Sequence, residues 1–310
     1  MADTVSADIP KFIVAGVDVI TNRALSNPIA MEYPNICTEK RIDKETGIYN
    51  QLGNIGPAED LVEGNEVTFD KIEEAYQTTI QSATKAKGVA HSWVAVKNDL
   101  YNVVPQILGK VMVDTLIEAR EQSVADRYNH GFATTGADGV YHFSASHPLV
   151  NSTELNDNLA TSGAMSVEIF KEMYNQFLFI KGQSGRKFPT KATHLLFHPA
   201  KMFTVMELLE SNLLAFELSN TTNSLKGINV KPVTSRYLDY NVTTGLSPYF
   251  MLDKTQTDAG VIFQRQTEVE IDLWRQYETM EFRALVAERY QTGVIAPGYG
   301  IVASLGGYTA

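Results

Sequence analysis

The chain has 310 residues, 44% of them hydrophobic and 20% charged, with a net charge of −10 and one cysteine, Cys37. That is enough apolar material for one large core or two modest ones. It excludes an intrachain disulfide scaffold and a thiolate metal cluster within one chain, and it argues against a tight nucleic-acid binder, which works by cations displacing counterions from phosphates. No run of about 18 apolar residues is present to span a bilayer. The N-terminus MADTVSADIPKF has neither a basic nor an apolar leader region, so a reducing, cytoplasmic folding compartment and no membrane are expected.

Residues 1–53 hold isolated apolar groups without sustained periodicity, with turn formers at Asn27-Pro28, Pro34-Asn35 and Gly47. An extended arm held by a neighbouring subunit is expected there. From Gln51 to Ala75 the chain carries seven acids (Glu59, Asp60, Glu63, Glu66, Asp70, Glu73, Glu74) and one base, Lys71. From Tyr76 to Lys97 it carries Lys85, Lys87 and Lys97 and no acid. With the β-favouring stretches EVTFD and SWVAV inside them, the two limbs are expected to form a long hairpin, its ends marked by Gly64 and Gly88, that docks on a neighbour. A solvated surface with accidental charge grouping is the alternative.

Asn98 or Asp99 then caps a helix whose apolar residues (Leu100, Val104, Ile107, Leu108, Val111, Met112, Leu116) share one face with Thr115 and Ala119. Lys110, Asp114, Glu118 and Glu121 fall elsewhere. The spacing predicts a helix of roughly 25 to 30 residues, about 40 Å long, with Pro105 as an alternative start. A second amphipathic helix begins near Ser166, with Val167, Phe170, Met173, Tyr174 and Phe177 inward. THLLF reads as a strand, followed by a helix with His198 at the cap and Pro199 in its first position. INVKPV and PYFML read as further strands. Val269, Ile271 and Leu273 alternate on one side of TEVEIDLW, and Met280, Phe282, Ala284 and Val286 on one side of the next segment, so a hairpin across RQYET is predicted. The mixture is α+β.

The stretch TTGADGVYHFSASHPLV, Thr134 to Val150, concentrates the residue types of a catalytic centre. A metal-dependent hydrolase would use His130, Asp138, His142 and His147. However, His142 and His147 are five apart in a Ser-rich segment, not on a shared helical face, and Pro199 breaks the face that His194 and His198 would need. Ser144 and Ser146 lack the strained G-x-S-x-G setting of a nucleophile. The structural reading is a tight turn at Gly136, Asp138 and Gly139, a short strand over Val140–Phe143, and an extended His147-Pro148. KGQSGRKF fails the phosphate-loop pattern and reads as a basic surface turn. APGYGIVASLGG lacks the dinucleotide-binding spacing, so its glycines serve turns. No catalytic, cofactor-binding or metal-ligating residue is expected.

The succession YQTTIQSATKAKGVAHSWVAVKNDLYNVV, a long helix ending ADRYNHGF, and GADGVYHFSASHPL resembles the major capsid (major head) proteins of tailed bacteriophages, in particular the Mu-like head-subunit branch. Asn98-Asp99-Leu100-Tyr101, Asp138-Gly139, Phe143-Ser144 and His147-Pro148 carry the resemblance, as does MEFRALVAERYQTGVIAP near the C-terminus. It covers roughly residues 65–150 and 265–300. The resemblance implies the Hong Kong-phage capsid fold, with an N-terminal arm (1–53), an E-loop (54–98), a P-domain with a long spine helix and β hairpin (99–160 and 261–289) and an A-domain (161–260 and 290–310). It further implies self-assembly into pentamers and hexamers of an icosahedral virion head enclosing double-stranded DNA, formed in the host bacterial cytoplasm. Expected partners are copies of the chain itself, a portal, a separate scaffolding protein, a decoration protein, and packaged DNA through weak non-specific contact.

Overall fold

The computed structural model describes residues 31–53, 74–98, 103–150, 152–211 and 223–308, with single positions 60, 66, 67, 69 and 72. Gly64, Asp99, Leu100, Tyr101 and residues 1–30 lie outside the described residues. Among the described residues no helix is long and apolar enough to cross a membrane.

From its first described residues the chain is held by its own body. The short helix α1 (Tyr33–Ile36) and strand β1 (Thr38–Arg41) follow one another, and Tyr33, Ile36 and Cys37 are buried. The expectation that a neighbour holds this part of the arm is therefore corrected. Tyr33, Ile36 and Cys37 cluster with Val124 and Tyr128 of the long helix and Phe263 of the sheet described below, and the strand adds to the edge of that sheet. Strands β2 (Thr46–Leu52) and β3 (Glu74–Gln81) pair antiparallel as a separate two-stranded ribbon.

Strand β4 (Ala83–Ser92) leaves β3 at the buried Ser82 and joins a different sheet, so among the described residues the two limbs do not pair with each other; Thr68 and Asp70 of EVTFD lie outside the described residues. Gly88 lies mid-strand opposite Leu285 rather than at a hairpin end. SWVAV is not a strand either. Pairing stops at Ser92, Trp93 N–H donates to Met280 O at 2.8 Å, and Trp93–Lys97 winds into helix α2, where Lys97 Nζ lies 4.2 Å from the Trp93 ring centre one turn back.

Helix α3 runs from Val103 to Asn129, 27 residues. Its inner face carries Met112 and Leu116 as predicted by the spacing, and Val113, Val124 and Tyr128 are buried with them. Val111 points outward at 46% exposure, and Glu121, expected on the outer face, is buried. Burial is tolerated because one carboxylate oxygen accepts the backbone N–H of Glu32 (2.6 Å) and of Tyr33 (2.9 Å), donors at the start of α1 that the short helix cannot satisfy itself.

Strands β5 (His147–Pro148) and β6 (Leu155–Asn156) form a small pair. Helix α4 (Val167–Phe179) starts where Ser166 Oγ accepts the Ile169 N–H, and buries Phe170, Met173 and Phe177. Strand β7 (His194–Phe197) meets a 3₁₀ turn capped by His198, whose Nδ1 accepts the Ala200 N–H at 3.2 Å, and then helix α5 (Met202–Glu210). Strands β8 (Lys231–Thr234), β9 (Tyr249–Leu252), β10 (Gly260–Gln276) and β11 (Glu281–Ile295), helix α6 (Pro297–Gly300) and strand β12 (Ile301–Ser304) complete the order.

Two four-stranded sheets result. One is ordered β1-β10-β11-β4, with β1 parallel to β10, and the other β12-β9-β7-β8. Helix α3 lies on the inner face of the first. Met112 and Leu116 pack with Ala284 and Val286, flanked by Val269, Ile271 and Leu273, the side of the hairpin that the alternation selects. Met280, predicted beside Phe282, instead occupies the hairpin turn at φ 52°, 45% exposed. Helices α4 and α5 bury Phe177 and Val205 against the second sheet with Leu195, Phe197 and Met251.

Candidate functional site

The loop from Thr134 to Val150 is pinned from beneath by aromatic packing. Phe143 is buried 4.9 Å from Phe132 and 5.3 Å from Phe250, centre to centre, in tilted arrangements that aromatic quadrupoles favour. The turn forms at Gly136–Val140, closed by Gly136 N–H to Val140 O at 2.7 Å, with Gly139 at φ 81°. The expected strand over Val140–Phe143 is reduced to one bridge, Thr135 with Tyr141, because Phe143 turns down into the core and His142 follows it.

Asp138 and His147, placed together by this turn, are joined at 2.5 Å through Asp138 Oδ2 and His147 Nδ1, both nearly buried. The other ring nitrogen, Nε2, lies 3.0 Å from Asn158 Oδ1. That amide is fixed in orientation, since its oxygen accepts the Ser144 N–H and its nitrogen donates to His142 O. Both nitrogens of His147 are thus faced by oxygens of the protein's own side chains, and neither is open to a metal.

His142 sits near this pair with Nδ1 unpartnered, and burial pulls its pKa from 6.5 down to about 4. His130 points elsewhere, its Nδ1 3.0 Å from Asp126 O. Among the described residues no cluster of three or more His, Cys, Asp or Glu could hold a metal. The hydrolase reading of His130, Asp138, His142 and His147 is therefore replaced by a clasp: Asp138, His147 and Asn158 tie the loop to the segment leading into α4. Ser144 and Ser146 contact each other at 3.3 Å, without a histidine as base.

KGQSGRKF forms the turn expected, with Gly182 N–H to Arg186 O at 2.6 Å and Gly185 at φ 75°, although Gln183 inside it is buried and bonds Gln51.

The surface is the other candidate. On the ribbon and the single positions beyond it, Ile48, Leu52, Val67, Phe69 and Ile72 are all more than half exposed, Phe69 at 89%. On α5, Phe203 is 80% exposed. The outer side of β10 presents Glu268, Glu270 and Asp272 to solvent, while β4, at the sheet edge, carries Lys85 and Lys87. Lys85 Nζ lies 5.3 Å from the Tyr290 ring centre, and Lys87 is exposed.

No family model matches the chain, and no curated protein does. Solved structures do match in fold. The capsid structure of the cyanophage P-SCSP1u aligns with TM-score 0.58 over 89% of this chain and 88% of that one, at 11% identity. The holo-SrpI encapsulin complex from Synechococcus elongatus PCC 7942 aligns with TM-score 0.52 over 90% and 89%, at 12% identity. A virus-like particle from Pyrococcus furiosus aligns with TM-score 0.52 over 94% and 97%, at 11% identity. The chain thus has an α+β fold of the Hong Kong-phage capsid type, which phage heads and encapsulins share.

Proposed function

We propose that this chain is a shell subunit, the major capsid protein of a tailed bacteriophage head, in the Mu-like branch. Copies would assemble as pentamers and hexamers around double-stranded DNA, with a portal, a separate scaffolding protein and a decoration protein as further partners. The carrying observation is the fold, matched over nearly the whole of this chain and of the shell proteins above. The exposed apolar side chains of the ribbon and of the single positions beyond it add support, Phe69 at 89% exposure above all.

In this reading residues 1–53 form the N-terminal arm, 54–98 the E-loop, 99–160 with 261–289 the P-domain around α3 and the long hairpin, and 161–260 with 290–310 the A-domain. The place of action is the virion, after assembly in the bacterial cytoplasm. A net charge of −10 suits a shell that encloses DNA without gripping it. Many weak contacts between copies suffice, because simultaneous engagement raises effective concentration.

The encapsulin match supports a second reading, a shell enclosing protein instead of a genome. Negative-stain microscopy of the purified protein is the test: closed shells are expected, and only monomers or small oligomers would refute the proposal. Particles from the native host that contain DNA would favour the phage head, whereas protein-filled ones would favour the compartment.

A further inference from the structure

A cleft of about 670 Å³ opens between the end of β3, strand β11, the last turns of α3 and the loop at His142. Its charged groups are Glu45, Arg127 and Arg289, with His142 beside them. Glu45 is already engaged, accepting from Arg289 Nη2 at 2.9 Å and from Gln81 Nε2 at 3.0 Å. Arg289 Nε is buried and has no partner. Arg127 donates from Nε to Thr292 Oγ1 at 3.1 Å, which fixes its guanidinium plane. No described carboxylate pairs with it, so its outer nitrogens keep their donors free for an incoming group.

A guanidinium held in one orientation with two parallel donors open matches a carboxylate in bidentate geometry. The same chain carries a matching donor of carboxylates, the segment 51–75 with seven acids and one base. Within one subunit that segment starts away from the cleft. Strand β3 lines the cleft from Thr78 onward, and Glu74 stands four residues earlier, about 13 Å away along an extended strand. Asp60, Glu66 and Glu74 are exposed. A nucleic-acid phosphate fits less well, since one uncompensated cation on a chain of net charge −10 does not make a backbone-tracking groove.

We propose that this cleft receives a carboxylate from the 51–75 segment of a second copy of the chain, with Arg127 as its main partner and Arg289 beside it. The inference rests on the shell reading and assigns one of its contacts.

The experiment compares wild-type, Arg127→Glu and Arg127→Lys proteins. Arg127→Glu is expected to give at least about tenfold fewer closed particles, since the loss is repeated at every subunit, with the melting temperature of the dissociated subunit unchanged. Arg127→Lys keeps the charge and should assemble. Treating its particles with a carbodiimide should join the introduced amine to a carboxylate within residues 51–75. In particles mixed from light- and heavy-nitrogen subunits, those cross-links should include mixed-label pairs.

If wild-type protein forms no shells, the shell reading itself fails. If it does, three results overturn the cleft assignment alone: wild-type yield from Arg127→Glu, cross-links absent or only of one label, or normal shells from Arg127→Glu that have lost packaged nucleic acid. Should Arg127→Glu misfold, the cross-link outcome decides.

Discussion

Arg120 and Glu288 join the long helix to the hairpin through a buried ion pair. Arg120 Nε lies 3.1 and 3.0 Å from the two carboxylate oxygens of Glu288, Nη2 makes a further bond, and the side chains are 6% and 1% exposed. Removing one partner strands a charge in the core, so Arg120→Ala or Glu288→Ala is expected to cost ~3–5 kcal/mol. The double replacement Arg120→Met with Glu288→Leu should cost much less, and denaturant midpoints of the dissociated subunit distinguish the two outcomes.

His142 has the opposite character, kept neutral by burial. In the unfolded chain it takes a proton near 6.5, but in the folded chain only near about 4. The unfolded state binds more protons across that window, so this contribution to stability is complete above 6.5 and is lost as pH falls. His142→Gln is expected to flatten the fall in denaturant midpoint over the same range. An unchanged slope would assign the loss to other groups, such as His194 and His198, whose pKa values burial also lowers.

Among the elements, α1 and β1 depend on Glu121. Glu121→Ala leaves one buried N–H (Tyr33) and one part-buried N–H (Glu32) without their acceptor, with an expected loss of about 1–3 kcal/mol from the buried one and less from the other. Hydrogen exchange should report it first at Thr38–Arg41, while Ala284–Tyr290 stays protected. If both stretches loosen together, Glu121 supports the whole sheet and not this attachment.

The long helix, α4, the His198 cap and the hairpin were legible in the sequence because apolar periodicity is local. Arg120 and Glu288 were also within reach, since Arg120 follows Met112 and Leu116 on the apolar face and Glu288 shares the inward parity of Ala284 and Val286. A charge in phase with core residues is a sign of a buried partner. The destinations of β1 and β4 could not be read, because pairing to β10 and β11 is decided by contacts far along the chain. SWVAV misled because β propensity describes a half-buried strand, whereas here the pairing ends at Ser92. In the His147 loop the residue types suggested chemistry, but only the geometry reveals that Asp138 and Asn158 occupy both ring nitrogens.

At the scale of the whole molecule, the charged edge of the first sheet is the simplest target. A strand at an edge offers unpaired backbone groups, and lysines there limit which partners can approach. On the proposed shell reading, reversing Lys85 and Lys87 to Glu is expected to lower particle yield while leaving the melting temperature of the dissociated subunit nearly unchanged, as read by microscopy and calorimetry. Equal yields from the double variant and the wild type would remove β4 from the contacts between copies.

The parallel pairing of Thr38–Arg41 with Ile262–Arg265 joins stretches more than two hundred residues apart. Contacts of such separation close late, because the loop between them must be ordered first. During translation, a nascent chain therefore lacks the strand that β1 needs until most of it has left the ribosome. Half-made polypeptides in this way lack the β1 pairing, and only finished ones present the completed first sheet.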